Sequence, residues 1–226
     1  MKYIFLDLDN TLTDRYATIV AYAEAFKVNF QNNLKFSINS EELGSWFNEY
    51  DRGGYETHEI RSKRISELDI WVERVDPSEL SLHWQIWVPN NSVPMKGLYE
   101  CLEALKALGL KLCLVTNGQS RNQRDKIQKL GLEKYFNEII ISEEVGFKKP
   151  DHEIFNIALA KMGCVSCESL FLGDHPLNDY TASKSLGFLP VWFGKLQEWP
   201  INLPRPKHFI ESLLELPVLI TNLTSR

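Results

Sequence analysis

Two carboxylates, Asp7 and Asp9, follow directly after a short apolar run from Tyr3 to Leu6. The run has the composition of a strand buried in a parallel sheet, and open α/β sheets bind ligands at the carboxyl ends of their strands. If the extended form continues, alternation points both carboxylates the same way. Like charges so close are costly unless a cation or a shared proton relieves them. The spacing therefore indicates a site that holds a cation or exchanges a proton.

Two other interpretations of this segment are open. Asp and Asn are common turn formers, so Asp7 to Thr11 also fits a turn that merely ends the strand. A calcium loop of the D-x-D-x-D-G type fits poorly, because the sixth position is not Gly and Asp14 falls at the eighth. In addition, a strand and not a helix leads into the segment.

Two later segments place further polar groups after predicted strands. Thr116, Asn117 and Gly118 offer a hydroxyl, an amide and backbone N–H groups at the start of a helix, which suits an anion. Lys149 precedes Pro150 at the start of another predicted helix. Taken alone, the first segment fits an ordinary turn better than an anion site, and the second fits a solvated basic pair better than a functional lysine.

A fourth segment adds two more acids after a strand. Asp174 and Asp179 are five residues apart in a predicted loop, a spacing that suits one hard cation bound by a few carboxylates and waters. Four such segments on one rim of a sheet are much harder to explain by chance than any one of them.

The elements that would position these residues alternate along the second half of the chain. Alternating strands and helices indicate a parallel sheet with right-handed crossovers, so we expect a Rossmann-like α/β core. The segment from Phe209 to Leu216 is expected to add a last strand or helix. The predicted elements are helices at Lys96–Leu108, Arg121–Leu130, His152–Met162 and Asp179–Leu186, and strands at Lys111–Val115, Glu138–Ser142, Ser169–Leu172 and Pro190–Phe193.

Between these parts lies a stretch with helical spacing and no strand pattern. We therefore predict a core domain formed by residues 1–14 and 94–226 and an inserted all-helical domain at 15–93, with a break at Asp51-Arg52-Gly53-Gly54. The predicted helices of the insertion are Asp14–Leu34, Ser40–Tyr50, His58–Leu68 and Pro77–Trp87.

Composition limits the class of protein. The chain has 226 residues, 44% of them hydrophobic, which is enough to bury a substantial core. Its net charge of −5 argues against a general nucleic-acid binder. No apolar run approaches a membrane span, and the N-terminus enters a strand directly, so we expect a soluble cytoplasmic protein. Cys164 and Cys167 have redox or zinc spacing, but no second pair completes a zinc site, so reduced thiols are expected.

The order of the motifs resembles the haloacid dehalogenase superfamily of hydrolases. The resemblance covers the predicted core at both ends of the chain, and the helical insertion is similar to that superfamily's cap. Asn10 stands where many members have Gly, a difference that the phosphatases of the family tolerate. The motifs are Asp7-x-Asp9-x-Thr11, Thr116, Lys149-Pro150 and Gly173-Asp174-x-x-x-x-Asp179.

The resemblance implies a role for each catalytic residue. Asp7 would attack phosphorus and form an aspartyl phosphate, and Asp9 would protonate the leaving oxygen and later take a proton from water. The resemblance also implies that Thr116 would hold the phosphoryl oxygens together with backbone groups of Asn117 and Gly118.

The same resemblance implies a cation and its ligands. Lys149 would offset the charge that spreads over the phosphoryl group. Mg²⁺ would be bound by Asp7, Asp174 and the main-chain carbonyl of Asp9, with Asp179 as a ligand or as an outer acceptor.

Asp9 favours a phosphatase over a dehalogenase, because dehalogenation needs no proton donor at that position. A phosphomutase and a non-catalytic ligand-binding member remain alternatives. We expect a small phosphate ester, such as a sugar phosphate or a nucleoside monophosphate, as the substrate, and a monomer or homodimer with no nucleic-acid or membrane partner. Arg52 and Tyr55 beside the Gly-rich break are candidate specificity residues, although a solvated helix face is the alternative.

Overall fold

The computed structural model describes residues 1–35, 39–52 and 58–224. The chain divides into two compact units, one of Met1–Asp14 with Pro94–Arg226 and one of Arg15–Val93. Among the described helices, none has both the length and the apolar character needed to cross a bilayer.

The first unit is built on a six-stranded parallel sheet. The strands of the described chain are β1 (Tyr3–Leu6), β2 (Thr13–Asp14), β3 (Val93–Pro94), β4 (Lys111–Thr116), β5 (Glu138–Ile141), β6 (Ser169–Gly173), β7 (Leu189–Phe193) and β8 (Phe209–Ile210). The order in the sheet is β5-β4-β1-β6-β7-β8. This order reverses at the central strand β1, and ligands of such sheets bind where the reversal occurs. The short strands β2 and β3 pair with each other.

Helices account for most of the remaining chain. In chain order they are α1 (Arg15–Phe30), α2 (Ser40–Arg52), α3 (His58–Ser66), α4 (Pro77–Asn90), α5 (Leu98–Ala107), α6 (Ser120–Lys129), α7 (Ser142–Val145), α8 (His152–Met162), α9 (Ala182–Ser185) and α10 (Glu215–Thr224). The predicted strands and helices of the core are confirmed to within about two residues at most ends.

Alternation along the strands creates two separate cores, one on each face of the sheet. Ile4 and Leu6 of β1 pack with Leu102 of α5 on one face. Phe5 points the other way and packs with Phe155 of α8. Both faces of the sheet are therefore covered, which explains why the sequences of these strands are continuous apolar runs. The predicted Rossmann-like α/β core is confirmed.

Two details of the core differ from the prediction. The helix expected from Asp179 begins earlier, because a π-helical turn at Pro176–Thr181 precedes α9. The His175 ring nitrogen Nδ1 accepts the N–H groups of Leu177 and Asn178, at 3.2 and 3.1 Å, and so caps this turn. The C-terminal segment, which was expected to add either a strand or a helix, forms both, the strand β8 and the helix α10.

The second unit packs around an aromatic cluster. Tyr22 of α1 lies edge-on to Trp84 of α4, with ring centroids 4.7 Å apart, and also contacts Phe47 of α2 at 5.2 Å. The Arg61 guanidinium of α3 lies 4.7 Å from the centroid of the Trp84 ring. Within its described residues this unit is formed mainly by α1 to α4, together with one isolated bridge between Leu34 and Trp71.

The predicted break in this unit starts too early. Helix α2 continues through Asp51 and ends at Arg52, so these two residues do not belong to a break. Gly53 and Gly54, on which the prediction mainly rested, lie outside the described residues.

Candidate active site

The chain turns just after β1 and Asp7, whose N–H still donates to the Leu172 carbonyl of β6 at 3.0 Å. The Leu8 carbonyl accepts the N–H groups of Leu12 and Thr13, at 2.8 and 2.9 Å. Asn10 adopts the left-handed conformation with φ 58°, which Asn tolerates better than most residues. The extended form therefore ends in this turn, and the expectation that the two carboxylates point the same way stays a prediction.

Asp7 is held in place by two side chains and is almost fully buried. Its Oδ1 accepts from Lys149 Nζ at 2.6 Å, and its Oδ2 accepts from the Thr11 hydroxyl at 3.2 Å. Burial raises the pKa of Asp7 to about 7, although Lys149 opposes this shift. A carboxylate in this position is costly to ionise unless further positive charge is nearby.

Lys149 is a buried side chain, so the solvated basic pair is the wrong description for it. Its ammonium group lies between two carboxylates, 2.6 Å from Asp7 and 2.7 Å from Asp179. Burial lowers the pKa of Lys149, but the two aspartates outweigh burial and raise the pKa above its usual range. The lysine therefore remains charged inside the pocket.

Asn117 fixes the loop that carries this lysine. Its side-chain amide donates to the Lys149 carbonyl and accepts the Lys149 N–H, each at 2.8 Å. The polar segment after β4 is thus tied to the start of the α8 segment by a reciprocal amide pair.

Three carboxylates form a candidate metal centre. Oxygen atoms of Asp7, Asp174 and Asp179 lie within 4.8 Å of one another. Burial raises the pKa of Asp174 well above its usual range, and the neighbouring Asp7 and Asp179 add to the shift. An all-oxygen donor set of this kind fits Mg²⁺, whose charge would relieve the repulsion.

The carboxylate of Asp179 is oriented by its own loop. Its Oδ2 accepts the His175 N–H at 2.9 Å, and its Oδ1 faces Lys149 at 2.7 Å. Gly173 packs directly against it, since a Cβ at that position would lie 2.4 Å from the Asp179 Cγ.

Asp9 makes a separate set of contacts. Lys126 Nζ lies 2.7 Å from its Oδ1 and 2.9 Å from its Oδ2, and Gln123 Nε2 donates to Oδ2 at 3.1 Å. Its carboxylate therefore does not join the three-carboxylate cluster. A role of Asp9 in metal binding through its main-chain carbonyl stays a prediction.

The predicted anion-binding segment lies at the same end of the sheet. Thr116 is fully buried, and its hydroxyl accepts from Gln123 Nε2 at 2.6 Å. The Gly118 N–H donates to the Ser142 hydroxyl at 3.0 Å, so a phosphoryl oxygen would have to compete for this donor. Gly118 has φ 146°, which favours glycine.

Three contacts of the site were not anticipated from the sequence: Gln123, Lys126 and Ser142. A signal was present for the first two, because they share a helix face with the buried residues Ile127 and Leu130 at i, i+3, i+4 and i+7 spacing. Polar residues on the buried stripe of a helix indicate partners inside the protein. Ser142 carried no comparable signal.

The side chains of the two predicted specificity residues lie outside the part of the chain that the structure describes. The backbone of Arg52 ends α2, but its side chain and the whole of Tyr55 lie outside the described part of the chain.

Comparison with known proteins identifies the family. The model of the haloacid dehalogenase-like hydrolases matches residues 3–192, and the chain belongs to this family. Among solved structures, the putative HAD-hydrolase YfnB from Bacillus subtilis, bound to magnesium, is similar with a TM-score of 0.76 and 22% identity, over 97% of this chain and 99% of that one.

Curated relatives of similar length carry phosphatase names. A glyceraldehyde 3-phosphate phosphatase from Pyrococcus furiosus is 28% identical over 97% of this chain and 92% of its own length. The pyrimidine 5'-nucleotidase YjjG from Escherichia coli is 27% identical over 96% and 97%. A glyceraldehyde 3-phosphate phosphatase from Methanocaldococcus jannaschii is 34% identical, with 58% of each chain covered.

Gly173→Ala is expected to damage the candidate metal centre without unfolding the protein. The added methyl group would overlap Asp179, so this carboxylate must move, and we expect Mg²⁺ affinity measured by calorimetric titration to fall about 10- to 100-fold. Gly44→Ala is the control, because a Cβ there meets its nearest neighbour at an ordinary 3.7 Å. Unchanged Mg²⁺ affinity in Gly173→Ala would contradict the assignment.

Proposed function

We propose that this protein is a Mg²⁺-dependent phosphatase that hydrolyses small phosphorylated metabolites through an aspartyl-phosphate intermediate on Asp7. One observation carries the proposal: a buried carboxylate at the end of the central strand is held by Lys149 and Thr11 and lies beside two further acids. Attack on a phosphate monoester needs such a fixed nucleophile with positive charge around it.

In the proposed reaction Asp7 Oδ attacks phosphorus while the bond to the leaving oxygen breaks. Asp9 gives that oxygen a proton as the alcohol departs, and then takes a proton from the water that attacks the phosphorus of the aspartyl phosphate. Inorganic phosphate leaves, and the Asp7 carboxylate is restored.

Lys149 and Thr116 have supporting roles in the proposal. Lys149 neutralises part of the charge on the transferring group, and its two aspartate contacts keep it charged and in place. The Thr116 hydroxyl, with backbone groups of Asn117 and Gly118, orients the phosphoryl oxygens. Phosphoryl transfer depends mostly on positioning and charge stabilisation, which these groups provide.

Asp7, Asp174 and Asp179 would hold the Mg²⁺, together with the Asp9 carbonyl. When bound, the cation would neutralise phosphoryl oxygens and the mutual repulsion of its ligands. The magnesium bound to the B. subtilis structure of the same fold supports this choice of ion.

The relatives support the substrate class. Two names, glyceraldehyde 3-phosphate phosphatase and pyrimidine 5'-nucleotidase, describe monoesters of small molecules, so we propose a substrate of that size. A phosphomutase would use the same groups and return the phosphoryl group to a sugar. We further propose that the helical unit Arg15–Val93 acts as a cap, and that Arg52 and Tyr55 contact the leaving group.

The reduced thiols fit the expected cytoplasmic location. All four cysteines are free, and burial raises the pKa of Cys101 to about 12, so this thiol stays protonated. We propose the cytoplasm as the compartment in which the enzyme acts.

A panel of phosphate monoesters with Mg²⁺ tests the proposed activity. We expect phosphate release from at least one small ester, and we expect Asp7→Asn to abolish it because the amide is not a nucleophile. Glyceraldehyde 3-phosphate and pyrimidine nucleoside 5'-monophosphates belong in the panel, with release measured colorimetrically. An inactive wild type, or full activity in a folded Asp7→Asn variant, would refute the proposal.

Asp9→Asn is expected to separate the two half-reactions. An aryl phosphate needs little protonation of its leaving group, so Asp7 is still phosphorylated, while hydrolysis without a base slows by roughly 10²- to 10⁴-fold. Intact-protein mass spectrometry after acid quenching should then detect one added phosphoryl group in Asp9→Asn and none in Asp7→Asn. Phosphate on any residue other than Asp7 would overturn the mechanism.

The cap residues are expected to affect substrate choice more than chemistry. Arg52→Ala and Tyr55→Phe should change the order in which the panel substrates rank by kcat/KM, because each variant removes a group that contacts only some leaving groups. Lys129→Met, a change on an exposed face of the core helix α6, is the control. An unaltered ranking in both variants would remove these residues from the site.

A further inference from the structure

The contacts of Asp9 reach a helix that carries none of the family motifs described above. Gln123 and Lys126 are one turn apart on α6, and both are buried despite their polarity, with 2% and 6% of their surfaces exposed. Buried polar side chains normally form hydrogen bonds with other groups of the protein. Here the groups that they contact include Asp9, the proposed acid–base residue.

The two side chains constrain Asp9 in different ways. Lys126 contacts both carboxylate oxygens, at 2.7 and 2.9 Å, and thereby holds the end of the Asp9 side chain in place. Gln123 uses one amide nitrogen for two acceptors, Asp9 Oδ2 at 3.1 Å and the Thr116 hydroxyl at 2.6 Å. The acid–base group and the predicted phosphoryl-binding hydroxyl are thus connected through a single side chain.

Side chains add to what the backbone provides for Asp9. Asp9 lies in the turn after β1, next to Asn10, which has a positive φ, and it forms an isolated bridge with Thr13. The Thr13 hydroxyl is a further, longer contact at 3.3 Å. A group that transfers a proton must be aimed within hydrogen-bond reach of the oxygen it serves, and a displacement of about 1 Å can cost 10²-fold in rate.

We propose that Lys126 and Gln123 are positioning residues that aim the Asp9 carboxylate for proton transfer. The inference rests on the proposed phosphatase function and extends it to a helix that would otherwise only support the sheet. Gly118 packs against the same glutamine, since a Cβ on it would lie 3.0 Å from Gln123 Cδ. Gln123 is therefore enclosed between the anion-binding turn and the acid–base residue.

Two other roles for Lys126 predict different behaviour. A lysine that binds the phosphoryl group or the leaving group directly would be needed whether or not Asp9 is present. A lysine that only stabilises the fold would affect all substrates equally. Positioning through Asp9 predicts losses that depend on the leaving group and that vanish when Asp9 can no longer transfer a proton.

The test compares Lys126→Met, Lys126→Arg and Gln123→Leu with two classes of substrate, an alkyl phosphate and an aryl phosphate. Because kcat/KM reports only the steps up to phosphoryl transfer, it isolates leaving-group protonation. We expect Lys126→Met to lose about 10²-fold on the alkyl ester and less than about 10-fold on the aryl ester. Lys126→Arg should recover part of the alkyl activity, and Gln123→Leu should show the same pattern with smaller losses.

A double-mutant cycle with Asp9→Asn supplies the decisive comparison. We expect Lys126→Met to lower kcat/KM by less than about threefold in the Asp9→Asn background, because its partner no longer transfers a proton. Losses that multiply in the double variant would assign Lys126 to the substrate and overturn the proposal. Equal losses on both ester classes would also overturn it, and Lys129→Met on the exposed face of α6 serves as the unchanged control.

A crystal structure of Lys126→Met provides a measurement that does not depend on activity. We expect the Asp9 carboxylate to rotate away from its present contacts, while Asp7 keeps its bonds to Lys149 and Thr11. An Asp9 side chain in the same orientation would refute positioning. A wild-type protein that hydrolyses no ester would refute the proposed function, and the crystal comparison would still decide whether Lys126 aims Asp9.

Discussion

The arrangement of the whole site depends on one buried ammonium group, that of Lys149. Burying a charge costs several kcal/mol per ion, and only close, well-directed partners offset that cost. Its two partners come from different strands, since Asp7 follows β1 and Asp179 follows β6. The reciprocal amide pair with Asn117, after β4, holds the backbone of the lysine itself. One ion-pair network therefore ties three neighbouring strand ends together, and a shift of any of them would leave a buried charge uncompensated.

The balance of charge in the pocket favours the binding of a cation. Among the described residues of the site, four carboxylates face two ammonium groups, which leaves an excess of two negative charges at neutral pH if all are ionised. A divalent cation would cancel this excess. Burial and the neighbouring acids raise the pKa values of Asp7 and Asp174, and a bound cation would favour their ionised forms. The charged groups are Asp7, Asp9, Asp174, Asp179, Lys126 and Lys149.

Local sequence patterns predicted most of the fold. They did not predict contacts between residues that are far apart in the sequence. Buried strands, helix spacing and polar residues after strands are properties of short segments, so β1, β4 and β6 and the polar residues at their ends could be predicted from the sequence. The lysine partners of Asp7 and Asp9 could not, because Lys149 and Lys126 lie more than a hundred residues later in the chain. The burial of Gln123 and Lys126 could be expected from their spacing in α6, but their shared partner Asp9 could not, because it follows β1, more than a hundred residues earlier. Identifying that partner needs the strand order, which brings α6 beside the end of β1.

The contacts of Asp9 also bear on the choice between the chemistries that this fold supports. A carboxylate nucleophile alone suffices to displace a halide, which leaves as a stable anion and needs no proton. An alkoxide is a poor leaving group, so cleavage of an ester bond gains from a second carboxylate that donates a proton. Such a carboxylate is useful only if it is kept apart from the nucleophile and aimed separately. Asp7 and Asp9 are held separately, since Asp7 pairs with Lys149, which it shares with Asp179, and Asp9 pairs with Lys126. This separation supports the proposed division of roles between the two aspartates in phosphoryl transfer, whereas a dehalogenase would have no use for the second.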